Sequence, residues 1–173
     1  LKSINKDVRI VNISSLPDRY LFMDSENVIE QYSSDLSIDS IDLVIVFDLG
    51  DYNRIGDLGV KINAENIDVV NIDHHVPKDE SLYSLSIINM EAPSTTYMLW
   101  KFFEYLDLNN APLNDNIALP LYVGLVNDTG SFRYSAVDSD THTMASHLLQ
   151  SSINPNSVFQ NIYEKVLNIY LLT

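Results

Sequence analysis

The sequence lacks cysteine and is poor in basic residues. Its 173 residues contain no Cys, and 24 Asp and Glu outnumber 10 Lys and Arg, which gives a formal net charge of -14 at pH 7. Without thiols, disulfide bonds and thiolate zinc sites are excluded, and a reducing cytoplasmic location is compatible with the composition. The negative net charge disfavours extensive electrostatic binding of duplex nucleic acid, because such binding needs many contacts from Lys and Arg to phosphate. A phosphate ligand would therefore need a metal ion to bridge it to this chain.

Long apolar runs are also missing. No stretch of roughly 18 apolar residues occurs, so no membrane-spanning helix is expected. The length suits one domain with a sizeable core. The chain opens on Leu1 instead of Met, and the apolar segment from Ile162 onward has no stop signal, so we expect truncation at both ends.

Short apolar runs and helical patterns alternate along the chain. β-branched runs bounded by turn residues predict strands, and apolar residues at helical spacing predict helices. This alternation favours an α/β domain with a mostly parallel sheet flanked by helices. The predicted strands are Val8–Ile13, Ile41–Phe47, Ile67–Ile72 and Ser84–Asn89. The predicted helices are Glu26–Tyr32, Ala92–Leu106, Ile117–Val126, Asp140–Gln150 and Asn156–Leu172, and a short helix or a turn is predicted at Asn53–Gly59.

Two of these helices have recognisable start residues. Pro93 suits the first helical position of its helix, which is apolar nearly all round and is therefore expected to be buried. Asp115 suits the cap of the next helix, which contains Pro120 and should kink there. Ser94 and Thr95 lie near a helix start, where they can donate to an anion or, as the simpler alternative, cap the helix.

An acid and two imidazoles stand where one predicted strand ends. Asp73, His74 and His75 follow the run Ile67–Ile72, which shows no two-residue alternation and so predicts a strand buried on both faces of a parallel sheet. Ligands in such sheets collect at the carboxyl ends of the strands. Carboxylate and neutral imidazole are ligands of borderline and hard divalent metals. Because adjacent residues of an extended segment point to opposite faces, we expect one histidine to bind metal and the other to face substrate.

Two further acidic residues follow segments that can hold them in place. Asp48 ends the buried run 41–47, and Asp128 follows an apolar helix. Taken singly, each has a structural explanation, since Asp often forms turns after strands and residues 128–130 have the form of a helix terminus. If both converge with His74, they provide two carboxylates and one imidazole, a ligand set suited to manganese or a similar divalent ion. Such a centre activates water for attack on phosphorus.

Three ordered motifs resemble the DHH phosphoesterase superfamily. The triplet at residues 73–75 is the one that gives the family its name, the segment Val46–Gly56 is similar to its second motif, and Gly124–Tyr134 is similar to its fourth. Within the superfamily, this fourth motif is most similar to the bifunctional oligoribonuclease and pAp phosphatase branch. The resemblance covers most of the chain and implies the α/β catalytic domain of that family.

The resemblance also implies a two-metal phosphoesterase, usually dependent on Mn²⁺, with Mg²⁺ or Co²⁺ as alternatives. It makes Asp48 the residue that bridges both ions, while His74 and Asp128 complete the ligands of one of them. It implies that His75 contacts the scissile phosphate. Asp73 would then not bind the metal itself but would orient an imidazole and fix its tautomer by a hydrogen bond.

Two arginines are candidates for substrate contact. Arg54 and Arg133 lie inside the matching motifs and suit phosphate binding, although a solvated surface position is the more frequent role of arginine. Lys78 departs from the family pattern, because many relatives carry Asn shortly after the triplet.

Two larger departures bear on activity. Family members carry a His and a spaced pair of Asp residues after their first strand, and no His precedes His74 in this chain. Half of the two-metal site is therefore expected to be missing. The family also places a Gly-rich substrate-binding domain after the catalytic domain, whereas this chain has only five Gly. We expect residues 1–173 to be the DHH catalytic domain, truncated at the N-terminus and without the C-terminal domain, and to show little or no turnover alone.

The function implied by the resemblance is metal-dependent hydrolysis of short oligoribonucleotides, of 3'-phosphoadenosine 5'-phosphate (pAp), or of both. The expected partners are short single-stranded RNA or a nucleotide in the cytoplasm, with a homodimer left open and no membrane partner. Three alternatives within the family stay open: a RecJ-type exonuclease, a cyclic dinucleotide phosphodiesterase and a manganese pyrophosphatase. A catalytically silent binding module that has lost the first motif is the alternative outside enzymes.

Overall fold

The strands of the described chain all run parallel to their neighbours. The computed structural model describes residues 5–108 and 111–164. Its strands are β1 (Ile10–Asn12), β2 (Ile29–Gln31), β3 (Leu43–Phe47), β4 (Asp68–Asp73) and β5 (Leu85–Ile88), and its α-helices are α1 (Gly56–Ala64), α2 (Thr95–Tyr105), α3 (Asp115–Asp128), α4 (Ser139–Leu148) and α5 (Pro155–Phe159). β1 pairs with β2, and a second sheet has the order β3, β4, β5. The predicted α/β class with parallel strands is confirmed. None of the described helices is long and apolar enough to cross a lipid bilayer.

The pairing register brings the carboxyl ends of β3 and β4 to one edge of the sheet. Phe47 is the partner of Ile72, and Asp73 is the partner of Ile88. The crossover from β3 to β4 runs through a 3-10 turn at Tyr52–Ile55 and then through α1. The loops that follow β3 and β4 therefore lie next to each other.

One face of β4 is more buried than the other, which corrects the prediction of a strand buried equally on both faces. Val69, Asn71 and Asp73 are buried, whereas Val70 and Ile72 are half-buried. Val69 belongs to a core cluster with side chains of α1 and of the turn before it. The sequence hides this alternation because polar Asn71 and Asp73 occupy inward positions that apolar residues usually take.

The opposite face of the three-stranded sheet is apolar and partly exposed, and we call it the apolar sheet face. Strand alternation and the pairing register put its side chains on one side, next to one another across the strands. Leu43, Phe47, Leu85 and Ile87 are between 47% and 53% exposed. The apolar residues of this face are Leu43, Ile45, Phe47, Val70, Ile72, Leu85 and Ile87.

The helices α2 to α5 share a separate core. Trp100 of α2, Leu125 of α3 and Met144 of α4 are buried together in it. α2 is less buried than predicted, because Phe102 is 53% and Tyr105 is 84% exposed. Although α2 carries apolar residues on all its sides, one part of its surface is exposed to solvent.

The prediction of a helix at Glu26–Tyr32 is wrong, because β2 lies there. The Asp24 carboxylate accepts hydrogen bonds from the backbone N–H groups of Val28 and Ile29, and β2 then pairs in parallel with β1. Pairing with a strand distant in sequence therefore outweighs the local helical pattern.

The starts of α2 and α3 also differ from the prediction. Ser94 caps α2, so Pro93 lies before the helix instead of in its first turn. Asn114 caps α3 in place of Asp115, and the helix continues past Pro120. In both helices the residue that caps is the one whose side-chain oxygen reaches a free backbone N–H of the first turn.

The remaining predicted elements are present with shifted ends. The short helix or turn predicted at Asn53–Gly59 corresponds to α1 with the 3-10 turn before it, and the helix predicted at Asp140–Gln150 corresponds to α4. The last predicted helix is divided into α5 and a π-helical turn at Gln160–Glu164. Its remaining part, residues 165–172, lies outside the described residues.

Candidate metal centre

Asp48 directly follows β3 and is tied to β4 by its backbone. Its N–H donates to the carbonyl of Ile72 at 3.1 Å, and its φ of 55° is a left-handed conformation that Asp tolerates better than most residues. The side chain is 44% exposed. Its Oδ1 accepts a hydrogen bond of 3.0 Å from the hydroxyl of Thr95, at the start of α2. Asp48 is thus presented to solvent from a loop that is fixed on two sides.

Asp73 is fully buried, and its carboxylate organises the loops after β3 and β4. Oδ2 accepts from the N–H of Gly50 at 2.7 Å, and Oδ1 accepts from the N–H and from Nδ1 of His75 at 2.8 Å each. Burial by itself would raise the pKa of Asp73, but the hydrogen bonds from Gly50 and His75 outweigh burial and lower the pKa below its usual value. The buried carboxylate therefore stays ionised and holds the His75 ring.

His74 has the protonation pattern of a metal ligand. Its Nδ1 lies 3.1 Å from the carbonyl oxygen of Ala92, and because a carbonyl can only accept, Nδ1 carries the proton. In the neutral imidazole Nε2 then has a free lone pair, and this nitrogen lies 3.4 Å from Oδ1 of Asp48. The side chain is 16% exposed, so the ring is held by its surroundings and reaches the loop of Asp48 with one nitrogen.

The two imidazoles do not point to opposite faces, which corrects the expectation drawn from strand alternation. β4 ends at Asp73, and His74 and His75 lie in a bend where that alternation no longer applies. Their rings meet edge to face with centroids 4.1 Å apart. Nδ1 of His75 lies 3.5 Å from Oδ1 of Asp48, so both rings face this carboxylate. His75 is 56% exposed and thus the more accessible of the two.

The donor atoms of these residues form a cluster that fits a divalent metal ion. Asp48, Asp73, His74 and His75 each offer one ligand atom, and these atoms all lie within 4.8 Å of one another. Carboxylate oxygen and neutral imidazole nitrogen together suit Mn²⁺ and similar ions. Because both oxygens of Asp73 already accept hydrogen bonds, Asp48 and His74 are the better placed ligands of the group.

Asp128, the last residue of α3, faces the same space but is not a member of that group. It lines an open cavity of about 270 Å³ together with Asp48, and the other walls are mostly apolar side chains from the 3-10 helix Asp18–Met23, α2 and α3. Burial and then the charge of Asp48 raise the pKa of Asp128. The structure therefore brings His74 to within 3.4 Å of Asp48 and places Asp128 in the cavity that Asp48 also lines.

Arg54 and Arg133 are exposed, and the side chain of each donates a hydrogen bond to a backbone carbonyl of its own loop. Nη1 of Arg54 donates to the carbonyl of Leu49 at 3.1 Å, and Nε of Arg133 donates to the carbonyl of Gly130 at 2.6 Å. Their loops are those that follow Asp48 and Asp128. Contact of either guanidinium with phosphate stays a prediction.

Lys78 joins the loops after β3 and β4. Its Nζ lies 2.6 Å from Oδ2 of Asp51, and its N–H donates to the carbonyl of Gly50 at 3.2 Å. Hydrogen bonding to Lys78 is the main reason why the pKa of Asp51 lies below its usual value. The residue that departs from the family pattern therefore has a structural partner beside the centre.

Sequence reasoning missed the backbone groups that hold the triplet. The N–H of Gly50 and the carbonyl of Ala92 fix Asp73 and His74, respectively. Gly50 lies within the motif Val46–Gly56, but a backbone group carries no side-chain signal, so the sequence does not show that it contacts Asp73. Thr95 was considered only for an anion or a cap, whereas Ser94 provides the cap and Thr95 contacts Asp48.

Comparisons with known proteins agree with this arrangement. A sequence profile described as "DHH family, N-terminal domain" matches residues 3–125. The bifunctional oligoribonuclease and PAP phosphatase NrnA of Bacillus subtilis is 29% identical over 143 residues, which are 79% of this chain and 44% of that protein. A Streptococcus mutans protein named for the same two activities is 35% identical over 108 residues, which are 62% of this chain and 33% of that protein.

A solved structure has the same fold. The crystal structure of an exopolyphosphatase-related protein from Bacteroides fragilis superposes with a TM-score of 0.84 at 21% identity, and the match covers 94% of this chain and 49% of that one. The chain thus spans less than half the length of these relatives. With the family profile matched over residues 3–125 and the triplet at the edge of a parallel sheet, this chain belongs to the DHH family.

Proposed function

We propose that this chain is the metal-binding part of a phosphoesterase that hydrolyses short oligoribonucleotides, pAp, or both. The observation that carries the proposal is the cluster of Asp48, Asp73, His74 and His75, whose ligand atoms lie within 4.8 Å of one another. Two relatives of the same family are named for oligoribonuclease and PAP phosphatase activity, which supports this choice of substrates over others of the family.

Asp48, His74 and Asp128 are the proposed metal ligands. Mn²⁺ is the proposed ion, with Mg²⁺ or Co²⁺ as alternatives, and when bound it would supply Lewis acidity at phosphorus and a nucleophile derived from water. Nε2 of His74 is available because Ala92 holds its other nitrogen. Asp48 is the proposed bridge between two ions in the complete centre, and its exposed carboxylate supports that role.

His75 and Asp73 are proposed to act on the substrate side. Asp73 holds Nδ1 of His75 at 2.8 Å, which leaves Nε2 of an exposed ring for contact with the scissile phosphate. Arg54 and Arg133 are proposed as further phosphate contacts, since the rest of this acidic chain offers few cations. A substrate with one or a few phosphates is favoured over a long duplex for the same reason.

We also propose that the active protein contains more polypeptide than these 173 residues. The apolar sheet face supports this, because contiguous apolar surface of this kind is usually covered by protein. Further chain would supply the second half of the metal ligands and a substrate-binding domain, and residues 1–173 alone would show little turnover. A cytoplasmic location, and a homodimer as one form of assembly, belong to the same proposal.

The test compares the 173-residue chain with the protein as encoded, including its flanking sequence. Both are assayed with Mn²⁺ against pAp, a short oligoribonucleotide, pyrophosphate and a cyclic dinucleotide. We expect the encoded protein to hydrolyse the first two substrates, and the Asp48→Asn variant to lose at least about 100-fold in rate, more than the loss typical of residues behind a metal ligand.

Each other outcome has a definite meaning. Hydrolysis of pyrophosphate or the cyclic dinucleotide alone would move the protein to another branch of the family. Metal binding without any hydrolysis would favour a silent binding module. Fast turnover by the 173-residue chain would contradict the need for further ligands, and unchanged activity of Asp48→Asn would remove Asp48 from the centre.

A further inference from the structure

Thr95, the first residue of α2, is buried beside the proposed metal centre. It is 4% exposed, and its hydroxyl donates to Oδ1 of Asp48 at 3.0 Å. The two residues are 47 positions apart in sequence, so the contact exists only in the folded chain. The buried hydroxyl of Thr95 therefore contacts a residue that is a proposed metal ligand.

The hydroxyl of Thr95 is not occupied in capping the helix. Ser94 performs that role, because its Oγ accepts from the N–H of Tyr97 at 3.0 Å. The hydroxyl of Thr96 lies 2.9 Å from the same Ser94 oxygen. The hydroxyls of Ser94 and Thr96 thus contact each other, whereas the hydroxyl of Thr95 between them is directed to Asp48.

Asp48 has little else to fix its carboxylate. It follows the end of β3 in a left-handed conformation, and its side chain is 44% exposed. Among the described residues, Thr95 donates the one hydrogen bond that its carboxylate accepts, and both imidazoles are farther away, at 3.4 and 3.5 Å. All three contacts are to Oδ1, so Oδ2 has no hydrogen bond to the described part of the chain.

We infer that Thr95 is a positioning residue for the metal centre, which acts by holding the plane of the Asp48 carboxylate. A carboxylate that gives its two oxygens to two ions must keep that plane, and a hydrogen bond to one oxygen from a residue anchored in a helix provides the constraint. This inference rests on the proposed function, since it takes Asp48 as a ligand. In this role Thr95 acts through Asp48 and is not itself a metal ligand.

The test measures metal affinity separately from folding. Thr95→Val keeps the shape and removes the hydroxyl, whereas Thr95→Ser keeps the hydroxyl. Thr143→Val is the matched control, because Thr143 is an exposed threonine of α4 whose hydroxyl donates to the carbonyl of Ser139. Mn²⁺ dissociation constants are measured by titration calorimetry and by the free Mn²⁺ signal in electron paramagnetic resonance, and melting of each metal-free variant is recorded.

We expect Thr95→Val to bind Mn²⁺ about 10- to 100-fold more weakly than the wild type, the loss typical when a residue behind a metal ligand is removed. Thr95→Ser and Thr143→Val should bind like the wild type. If Thr95→Val melts too early for titration, Thr95→Ala at low temperature gives the same comparison with Thr95→Ser.

The outcomes separate this inference from the proposed function. Equal Mn²⁺ affinity of the wild type and Thr95→Val would overturn the role of Thr95 and leave the metal centre standing. Weak binding by Thr95→Ser as well would also overturn it, because the hydroxyl would not be the cause. Absence of Mn²⁺ binding by the wild type would overturn the metal centre, and the inference with it.

Discussion

Two carboxylates at the same centre have pKa values shifted in opposite directions. Burial affects both Asp73 and Asp128, but the hydrogen bonds from Gly50 and His75 bring the pKa of Asp73 below its usual value. Asp128 receives one weaker bond, from the side-chain amide of Asn127 at 3.3 Å, and faces the negative charge of Asp48. At the residue scale, the number of nearby donors therefore decides which buried acid is stable as an anion.

Replacing Asp128 with Asn should stabilise the metal-free chain at neutral pH. Because the folded-state pKa lies above the unfolded value, the contribution of Asp128 to folding is present below the unfolded pKa, about 3.9, and is lost as the pH rises through the folded pKa. Asp128→Asn should thus have the higher free energy of unfolding at pH 7, with a difference that narrows near pH 4. Urea unfolding with a chelator, followed by the fluorescence of the single Trp, measures this.

Asp35→Asn is the control for this comparison, since Asp35 is exposed and should change little. Among the described residues, the groups that influence the pKa of Asp128 are Asp48, the Asn127 amide, His74 and His75. A metal-free Asp128→Asn variant that is less stable than the wild type at pH 7 would contradict the prediction. Addition of Mn²⁺ should reverse the order, because only the wild type keeps the carboxylate of the proposed ligand Asp128.

At the element scale, α2 and α3 approach closely enough to require glycine. A Cβ at Gly124 of α3 would overlap Cγ2 of Thr96 in α2. α2 carries Thr95 and α3 ends at Asp128, so the same contact sets the distance between two groups of the proposed centre. The glycine of the family motif therefore has a packing role in this chain.

Gly124→Ala should separate the two helices and weaken the metal centre. Overpacking of this kind lowers the free energy of unfolding by about 1–3 kcal/mol, and Mn²⁺ affinity should fall with it. Thr96→Ser in the same chain should restore part of both quantities, because it removes Cγ2 and keeps the hydroxyl that contacts Ser94. Urea unfolding and Mn²⁺ titration are the measurements.

Asn116→Ala provides the control, as it adds alanine at an exposed position of the same helix. It should leave Mn²⁺ affinity unchanged. If Thr96→Ser recovers neither stability nor affinity in the Gly124→Ala chain, the overlap with Thr96 is not the cause of the loss.

At the scale of the whole molecule, the two faces of the main sheet differ. One face lies in a core with α1, and the apolar sheet face leaves Leu43, Phe47, Leu85 and Ile87 about half exposed. Helices α2 to α5 form their own core, so residues 5–108 and 111–164 contain two separate buried clusters. Contiguous exposed apolar surface of this kind is often a site of protein interaction.

Replacing Leu85 and Ile87 together with Thr should leave the fold intact and reduce binding of a hydrophobic dye. Threonine keeps the strand preference, and exposed substitutions usually change the free energy of unfolding by about 0.5 kcal/mol or less each. The matched control is Val69→Thr on the opposite face, where the side chain is 2% exposed. Burying that unpaired hydroxyl should cost about 1–3 kcal/mol.

Dye fluorescence, urea unfolding and sedimentation velocity are measured on the same samples. A fall in self-association of the double variant would identify the apolar sheet face as the contact between copies. Loss of folding in the double variant, with Val69→Thr unaffected, would contradict the assignment of the two faces.

Local pattern was enough to predict the strands that carry the centre. The runs Ile41–Phe47 and Ile67–Ile72 contain β3 and most of β4, because short β-branched runs between turns have few other stable forms. β2 could not be predicted in this way, since it exists by pairing with β1 across 19 residues. The exposure of Phe102 and Tyr105 was missed for a related reason, as burial depends on which neighbours are present.

The sequence by itself determined the class of the chain and the chemistry of its centre. The Asp73-His74-His75 triplet and Asp48 lie within residues 3–125, which the family profile matches, and their donor atoms are fixed by residue type. Only the tertiary structure decided how these atoms are held. The Ala92 carbonyl lies next to Nδ1 of His74 and favours a proton on that nitrogen. The Thr95 hydroxyl donates a hydrogen bond to the carboxylate of Asp48. Such partners are brought together by strand register and helix packing, which no local pattern encodes.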